Sequence, residues 1–211
     1  MKEYTSHTKF SMSQSFLFSL FTLGFCNLSN AQTATIEDQA IDSILSWMKE
    51  NYTQDSNDFH QIVLRTISKG AKNDDLKLLG ELHESLADWH GYHGLTNGDS
   101  ILVYDYRALG YFEEIGDQSA IARVYAAISI HQLNNGDLEK SQAATFKAID
   151  LYKELEDEGG LANCYRSLAY LFSDLGEFEK AISYGHQAYD YYKKVGDFDR
   201  MSYTLLSLIG T

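Results

Sequence analysis

Proline is absent from the 211-residue sequence, cysteine occurs only twice, and acidic residues far outnumber basic ones. Without proline, the chain lacks the residue that most strongly interrupts a helix. The 17 Lys and Arg residues stand against 30 Asp and Glu residues, which gives a formal net charge of −13. Nucleic-acid phosphates and anionic membrane surfaces both need basic residues for binding, so the charge argues against either as a partner of this segment.

The chain also lacks the short motifs that mark common catalytic and cofactor sites. It has no glycine-rich phosphate-binding loop, no HExxH, no GxSxG and no EF-hand loop. The glycine–acid pairs Gly98-Asp99 and Gly136-Asp137 lack the ladder of acids that calcium requires, and helix punctuation explains them more simply. The sequence therefore predicts no enzyme activity and no cofactor.

The composition that remains favours a packed interior over disorder. Hydrophobic residues make up 44% of the chain and aromatic residues 13%, which is more than a disordered chain carries. The length is enough for one domain or one short array of repeats.

The first 31 residues have the pattern of a secretory signal peptide. Two lysines precede an apolar core at residues 16–25, and small residues stand at Ser29 and Ala31, the two positions that a signal peptidase reads. The core is too short for a spanning helix, although a buried helix or an anchor remains an alternative. We predict cleavage before Gln32 and export to the periplasm or secretion, where the acidic surface keeps the protein soluble.

Cleavage at that site would leave Cys164 as the only cysteine. No intrachain disulfide can then form in an oxidising compartment, so the thiol is either buried or a route to a covalent dimer. Its place within a helical pattern, between Ala162 and Tyr165, favours burial.

Two segments in the centre of the chain recur at a spacing of forty residues. Residues 136–141 (GDLEKS) return as residues 176–181 (GEFEKA), and residues 121–125 (IARVY) return as residues 161–165 (LANCY). A fixed period between 20 and 50 residues is the signature of a solenoid or an array. The period thus predicts the fold class before any local pattern is considered.

Each period contains two amphipathic helices. Apolar residues recur three and four positions apart, as at Ile121, Tyr125 and Ile128, which places them on one stripe of a helix. Gly136 and Gly176 interrupt these patterns, and glycine ends helices readily because it adopts the left-handed conformation without a Cβ clash. The pattern predicts an all-α chain built from antiparallel helix pairs.

These units resemble the tetratricopeptide repeat (TPR). The matching residues are Tyr165, Leu168, Ala169, Phe172, Gly176, Ala181 and Ala188 in one unit, and Tyr125, Ile128, Ser129, Gly136, Ser141 and Ala148 in the unit before it. Gln132 replaces the family's second aromatic residue, and the proline that often closes each unit is missing. The period of forty exceeds the common one of about 34 and resembles a longer-helix variant found in bacterial regulatory proteins. The small residues allow paired helices to approach closely.

The resemblance implies a right-handed α-solenoid in which the first helix of each pair lines a concave groove. The outward residues of those helices that we assign to a binding site are Arg123, Ile130, Asn134, Asn163, Arg166, Tyr170 and Asp174. In this assignment Arg123, Asn163 and Arg166 grip a peptide backbone or carboxylate, and Ile130 and Tyr170 provide apolar contacts. A solvated face with no ligand is an equal alternative.

We divide the chain into a signal peptide (1–31), a capping helix (32–55) and the repeat array (56–211). The last unit starts a first helix and stops at Thr211, before its partner helix. Because terminal repeats normally present a polar outer face, residues 197–211 predict either that the chain is part of a longer protein or that this helix mediates self-association.

A metal site has little support. His90 and His93 lie three apart on one predicted helix, and two imidazoles with a nearby carboxylate such as Asp88 can bind zinc or copper. No second helix offers an obvious third ligand, so we expect surface and packing histidines beside Trp89 and no bound metal.

Taken with the export signal, the resemblance implies a protein–protein interaction module that binds a protein or peptide on its concave face. The alternative is the extracytoplasmic sensory part of a membrane-bound histidine kinase or transcriptional regulator. A membrane would be involved only if a longer parent protein supplied the spanning helix.

Overall fold

The computed structural model describes residues 63–64, 66–68, 74–93 and 98–209, with side chains described except at 93, 98–100, 203 and 205–209. The signal peptide (1–31) and the capping helix (32–55) assigned from sequence lie outside the described residues. So does the predicted start of the array near residue 56.

Seven helices follow one another between residues 76 and 209. They are α1 (Leu76–His93), α2 (Gly98–Ile115), α3 (Gln118–Asn134), α4 (Leu138–Glu154), α5 (Glu158–Asp174), α6 (Phe178–Val195) and α7 (Phe198–Ile209). The described part of the chain contains no strand. The prediction of an all-α chain is confirmed.

The helices pack in consecutive pairs. The most extensive contacts join α1 with α2, α3 with α4, and α5 with α6, and each pair then contacts the next through α2 with α3, α4 with α5, and α6 with α7. The first helices α3 and α5 also touch each other directly. Each repeat therefore buries its apolar stripes both within its own pair and against its neighbours.

Small residues stand where paired helices approach most closely. Ser141, Ala148, Ala181 and Ala188 are at most 3% exposed, as the sequence predicts for these positions. Gln132 is also buried, at the position where the next repeat has Phe172. A buried amide side chain thus replaces an aromatic ring in the second repeat.

The turns between helices contain residues in the left-handed backbone conformation. Gly116, Gly136, Gly176 and Gly196 all have φ values between +71° and +80°. The helix ends predicted at Gly136 and Gly176 are confirmed. Glu156 holds the corresponding position after α4 with a φ of +55°. Non-glycine residues adopt this conformation only at some cost.

The first helices begin at aspartate caps. Asp117 and Asp157 each accept a hydrogen bond from a backbone N–H three residues later, at 3.0 and 2.9 Å. Asp137, which precedes the second helix α4, makes no such bond and instead contacts Lys140 at the surface.

We expect Asp157→Ala to lower the free energy of unfolding by about 1 kcal/mol, because an N-cap acceptor for α5 is lost. Asp137→Ala removes the same carboxylate without removing a cap bond and serves as the matched control, with an expected loss below about 0.5 kcal/mol. Urea denaturation followed by circular dichroism measures both. Equal losses in the two variants would show that the cap bond contributes nothing.

Candidate functional site

The candidate site is the outward stripe of the first helices α1, α3 and α5. Three residues of α3 (Arg123, Ile130 and Asn134) stand forty positions before three residues of α5 (Asn163, Tyr170 and Asp174). Within each helix they are seven and four residues apart, so they share one face. We call this surface the first-helix face.

Arg123 connects the first-helix face across two repeats. Its Nε donates to Oε1 of Glu84 on α1 at 2.5 Å, and its Nη2 donates to Oε2 at 2.8 Å. The side chain of Arg123 is 50% exposed, while that of Glu84 is 15% exposed. The hydrogen bond with Glu84 raises the pKa of the guanidinium, which stays charged. This bidentate pair places the stripes of α1 and α3 side by side.

Asn163 and Arg166 are engaged inside the array. The Tyr192 hydroxyl of α6 donates to Oδ1 of Asn163 at 2.8 Å and accepts from Nε of Arg166 at 3.1 Å. Tyr192 itself is 1% exposed. These polar groups therefore support the packing of α5 on α6, and the bond uses one of the five N–H donors of Arg166.

The other assigned residues lie at the surface. Ile130 is 43% exposed, Asn134 and Asp174 are exposed, and Tyr170 is half-buried with the Arg166 guanidinium 5.8 Å from its ring centroid. Asp174 is the last residue of α5, where the helix dipole disfavours a negative charge. Helix stability therefore does not account for this carboxylate.

Asp88 on α1 adds an unusual carboxyl group to the same region. Loss of hydration, followed by the charge of Glu84, raises the pKa of Asp88 to about 6. Its side chain nevertheless keeps a substantial surface open to solvent, so the shift reflects a crowded acidic neighbourhood as well as burial. The sequence shows an aspartate at this position, but its raised pKa could not be predicted because it depends on which helices pack around it.

A buried ionisable pair lies beneath this region and was missed by the sequence analysis. Nδ1 of His131 on α3 lies 2.6 Å from Oδ2 of Asp105 on α2, and the two residues are 8% and 1% exposed. One feature of the sequence could have indicated this pair: Asp105 falls on the apolar stripe of α2, between Leu102 and Leu109. A charged residue in such a stripe indicates a buried polar partner.

The two histidines considered for a metal site have different environments. His90 is 6% exposed, with its ring stacked on Tyr104 at 5.2 Å and edge-on to Trp89 at 4.9 Å. The side chain of His93 lies outside the described ones. Among the residues that the structure describes, no group of three or more His, Cys, Asp or Glu side chains is placed to hold a metal ion.

Cys164 is 1% exposed, and the prediction that it is buried is confirmed. Burial, followed by the charge of Asp157, raises the pKa of the thiol to about 12. The thiol therefore stays protonated and unreactive at neutral pH.

No helix in the described part of the chain combines the length and the apolar character that crossing a membrane requires.

Comparisons with known proteins match this chain to solved structures and not to any sequence family. No family model matches the sequence, and no curated protein matches it either. The structure resembles a crystal structure of a Signal Transduction ATPase with Numerous Domains (STAND) protein with a tetratricopeptide repeat sensor from Pyrococcus horikoshii, with a TM-score of 0.65 and 18% sequence identity. The match covers 84% of this chain but only 26% of that protein. At this identity the likeness shows the fold, which is a TPR-like helical repeat.

A TPR-like array is in general a module for protein–protein interaction, since its stacked helices present extended surfaces for binding. The longer repeat variant remains a prediction.

Proposed function

We propose that this chain is exported and that its repeat array binds a protein or peptide on the first-helix face. One observation carries the proposal of binding: the pairing of Glu84 with Arg123 joins the first helices of two successive repeats into a continuous surface. A peptide laid across that surface would contact α1, α3 and α5 in turn. Extended surfaces of this kind suit extended partners.

The chemistry of the face fits a mixed polar and apolar ligand. Arg123 and Arg166 supply cationic donors, Ile130 and Tyr170 supply apolar contact area, and Asp174 supplies a carboxylate at a helix end. Because Arg123 already pairs with Glu84, it can pair with a carboxylate of the partner only by binding both carboxylates at once or by releasing Glu84. We therefore expect that a partner with a well-placed acid competes with Glu84 for the guanidinium.

We propose a non-catalytic role, supported by the solved relative in which the repeats are described as a sensor. The second candidate function follows from the same comparison. The matched region is about a quarter of that multidomain protein, which supports the proposal that this chain is the sensory part of a longer regulator. The mass and membrane association of the native protein in its own cells distinguish the two candidates.

The binding proposal is tested by comparing paired arginine and lysine variants in pull-downs from extracts of the native cells. Arg123→Ala with Arg166→Ala removes two cations from the first helices, and Lys147→Ala with Lys194→Ala removes two from the second helices α4 and α6. We expect at least one protein to be retained by the wild type and the lysine variant but reduced on the order of tenfold by the arginine variant.

Thermal unfolding and circular dichroism check that all three proteins remain folded. If the arginine and lysine variants lose the same proteins to the same degree, or neither loses any, the partner does not bind the first-helix face.

A further inference from the structure

Three helices meet at the buried Asp105–His131 pair. Asp105 comes from α2 and His131 from α3, while Nε2 of His131 faces α1 at Gly91. A Cβ on Gly91 would lie 3.1 Å from that nitrogen, so α1 is packed closely on the imidazole. The pair therefore sits at the contact between the first repeat, α1 with α2, and the first helix of the second repeat.

We propose that this contact is a proton-sensitive joint, which is tight when the Asp105–His131 pair holds its proton and loosens when the proton leaves.

The net charge of the pair before and after it loses a proton explains why the contact loosens as pH rises. With His131 protonated, Nδ1–H donates to Oδ2 of Asp105 and the pair has no net charge. Because Nδ1 keeps its hydrogen-bonded proton, the proton that leaves is the one on Nε2. The pair is then left with the single negative charge of Asp105 in a site that is 1% exposed. An uncompensated charge in such a site is costly, and the charge of histidine ordinarily changes between about pH 5 and 8.

The carboxylate of Asp105 has few stabilising interactions other than the one with His131. Its Oδ1 atom is buried and has no hydrogen-bond partner among the residues that the structure describes. Loss of hydration raises the pKa of Asp105, and the hydrogen bond and charge of His131 counter that rise. The ionised carboxylate therefore depends on His131 for its stabilisation.

The surrounding charges make the loss of the proton from the pair more costly. Glu84 and Asp88 of α1 interact electrostatically with the pair. Arg123 of α3 lies in the same region and is already bound to Glu84. If Asp88 loses its proton in the same range, these five groups pass from no net charge to two negative charges. Repulsion among the three carboxylates then acts between α1 and α2.

Other titratable groups lie near this contact, among them Arg107 of α2, whose charge acts on His83. On α1, burial lowers the pKa of His83, which favours its neutral form, and His90 is stacked on Tyr104 of α2. From α4, Tyr152 interacts electrostatically with Glu84 and Arg123, and burial raises the pKa of its hydroxyl so that it stays neutral.

The next joint in the array provides an internal comparison. Forty residues later, Thr145 and Leu171 occupy the positions of Asp105 and His131. The Thr145 hydroxyl donates to the backbone carbonyl of Ser141 at 2.8 Å, and Leu171 is 1% exposed. Neither side chain titrates, so the contact between the second and third repeats does not share this sensitivity.

Hydrogen exchange with detection by mass spectrometry tests the proposal on the full chain. Protection factors, corrected for the intrinsic pH dependence of exchange, are measured for α1 and α2 and for α5 and α6. Between about pH 5 and about pH 8 we expect protection of α1 and α2 to fall by on the order of tenfold relative to α5 and α6, because the negative charge left on the pair is costly to bury. An equal response in both regions would overturn the proposal.

Three variants assign the effect to the pair. The double variant Asp105→Thr with His131→Leu reproduces the contact between the second and third repeats and should remove most of the difference between the two regions, leaving only the part that Asp88 contributes. His131→Gln keeps an N–H donor for Asp105 but cannot titrate, so it gives the same test if the double variant folds poorly. Asp88→Asn should reduce the difference without abolishing it. If Asp88→Asn alone abolishes it while the pair variants retain it, Asp88 is responsible and the proposed joint is wrong.

Discussion

Gly160→Ala is expected to lower the free energy of unfolding by about 2–3 kcal/mol, the upper part of the range for overpacking a buried contact. A Cβ at this position would lie 2.4 Å from Cδ1 and Cε1 of the Tyr152 ring and 2.6 Å from its Cγ. The ring cannot easily move, because it is 7% exposed and packs in the core with Ala148, Leu161 and Cys164. Urea denaturation followed by circular dichroism measures the loss.

Gly110→Ala is the matched control for this substitution. Gly110 lies in the interior of α2, and a Cβ there would have nothing within 4 Å. Alanine is favoured over glycine in a helix by about 0.5–1 kcal/mol, so this variant should be stabilised. If Gly160→Ala is also stabilised, α4 and α5 are not packed as closely as the structure indicates.

His131→Leu is expected to cost about 3–5 kcal/mol near pH 7, because it leaves the buried Asp105 carboxylate without its partner. Asp105→Thr should cost less, since a neutral imidazole is easier to bury than a carboxylate. Both substitutions introduce residues that the chain already uses at the equivalent positions, Thr145 and Leu171. Steric misfit is therefore a small part of either result.

The double variant Asp105→Thr with His131→Leu completes a double-mutant cycle and should recover most of the loss caused by His131→Leu. Replacing both partners of a buried ionic pair with residues of suitable shape is often neutral. Denaturation of the four proteins at one pH gives the coupling free energy. A double variant whose loss equals the sum of the two single losses would show that Asp105 and His131 do not stabilise each other.

The fold could be predicted because its determinants are local and repeated. Gly136 and Gly176 end helices through their own conformational preference, and the apolar stripes around Ile121 and Leu161 depend only on spacing within one helix. The small residues at Ala148 and Ala188 also report close helix packing directly. None of these features requires knowledge of how distant segments meet.

The chemistry of the candidate site could not be predicted in the same way. The Glu84–Arg123 pair joins residues 39 positions apart, and the Asp105–His131 pair joins residues 26 apart. Both depend on how two helices are rotated about their axes, which the apolar pattern fixes only coarsely. For the same reason, the sequence assigned Arg166 to a ligand, whereas the structure also gives it a hydrogen bond to Tyr192. The binding role of the assigned residues stays a prediction.

The packing of each helix pair on its neighbours also sets how cooperative the chain is. In a one-dimensional array the total stability is a sum of terms for individual repeats and terms for the interfaces between them. Here the interface containing His131 is partly ionic, while the interface containing Leu171 is apolar. The coupling between units therefore rests on different chemistry at the two interfaces, so a change that acts on charge alters the interface containing His131 more than the one containing Leu171.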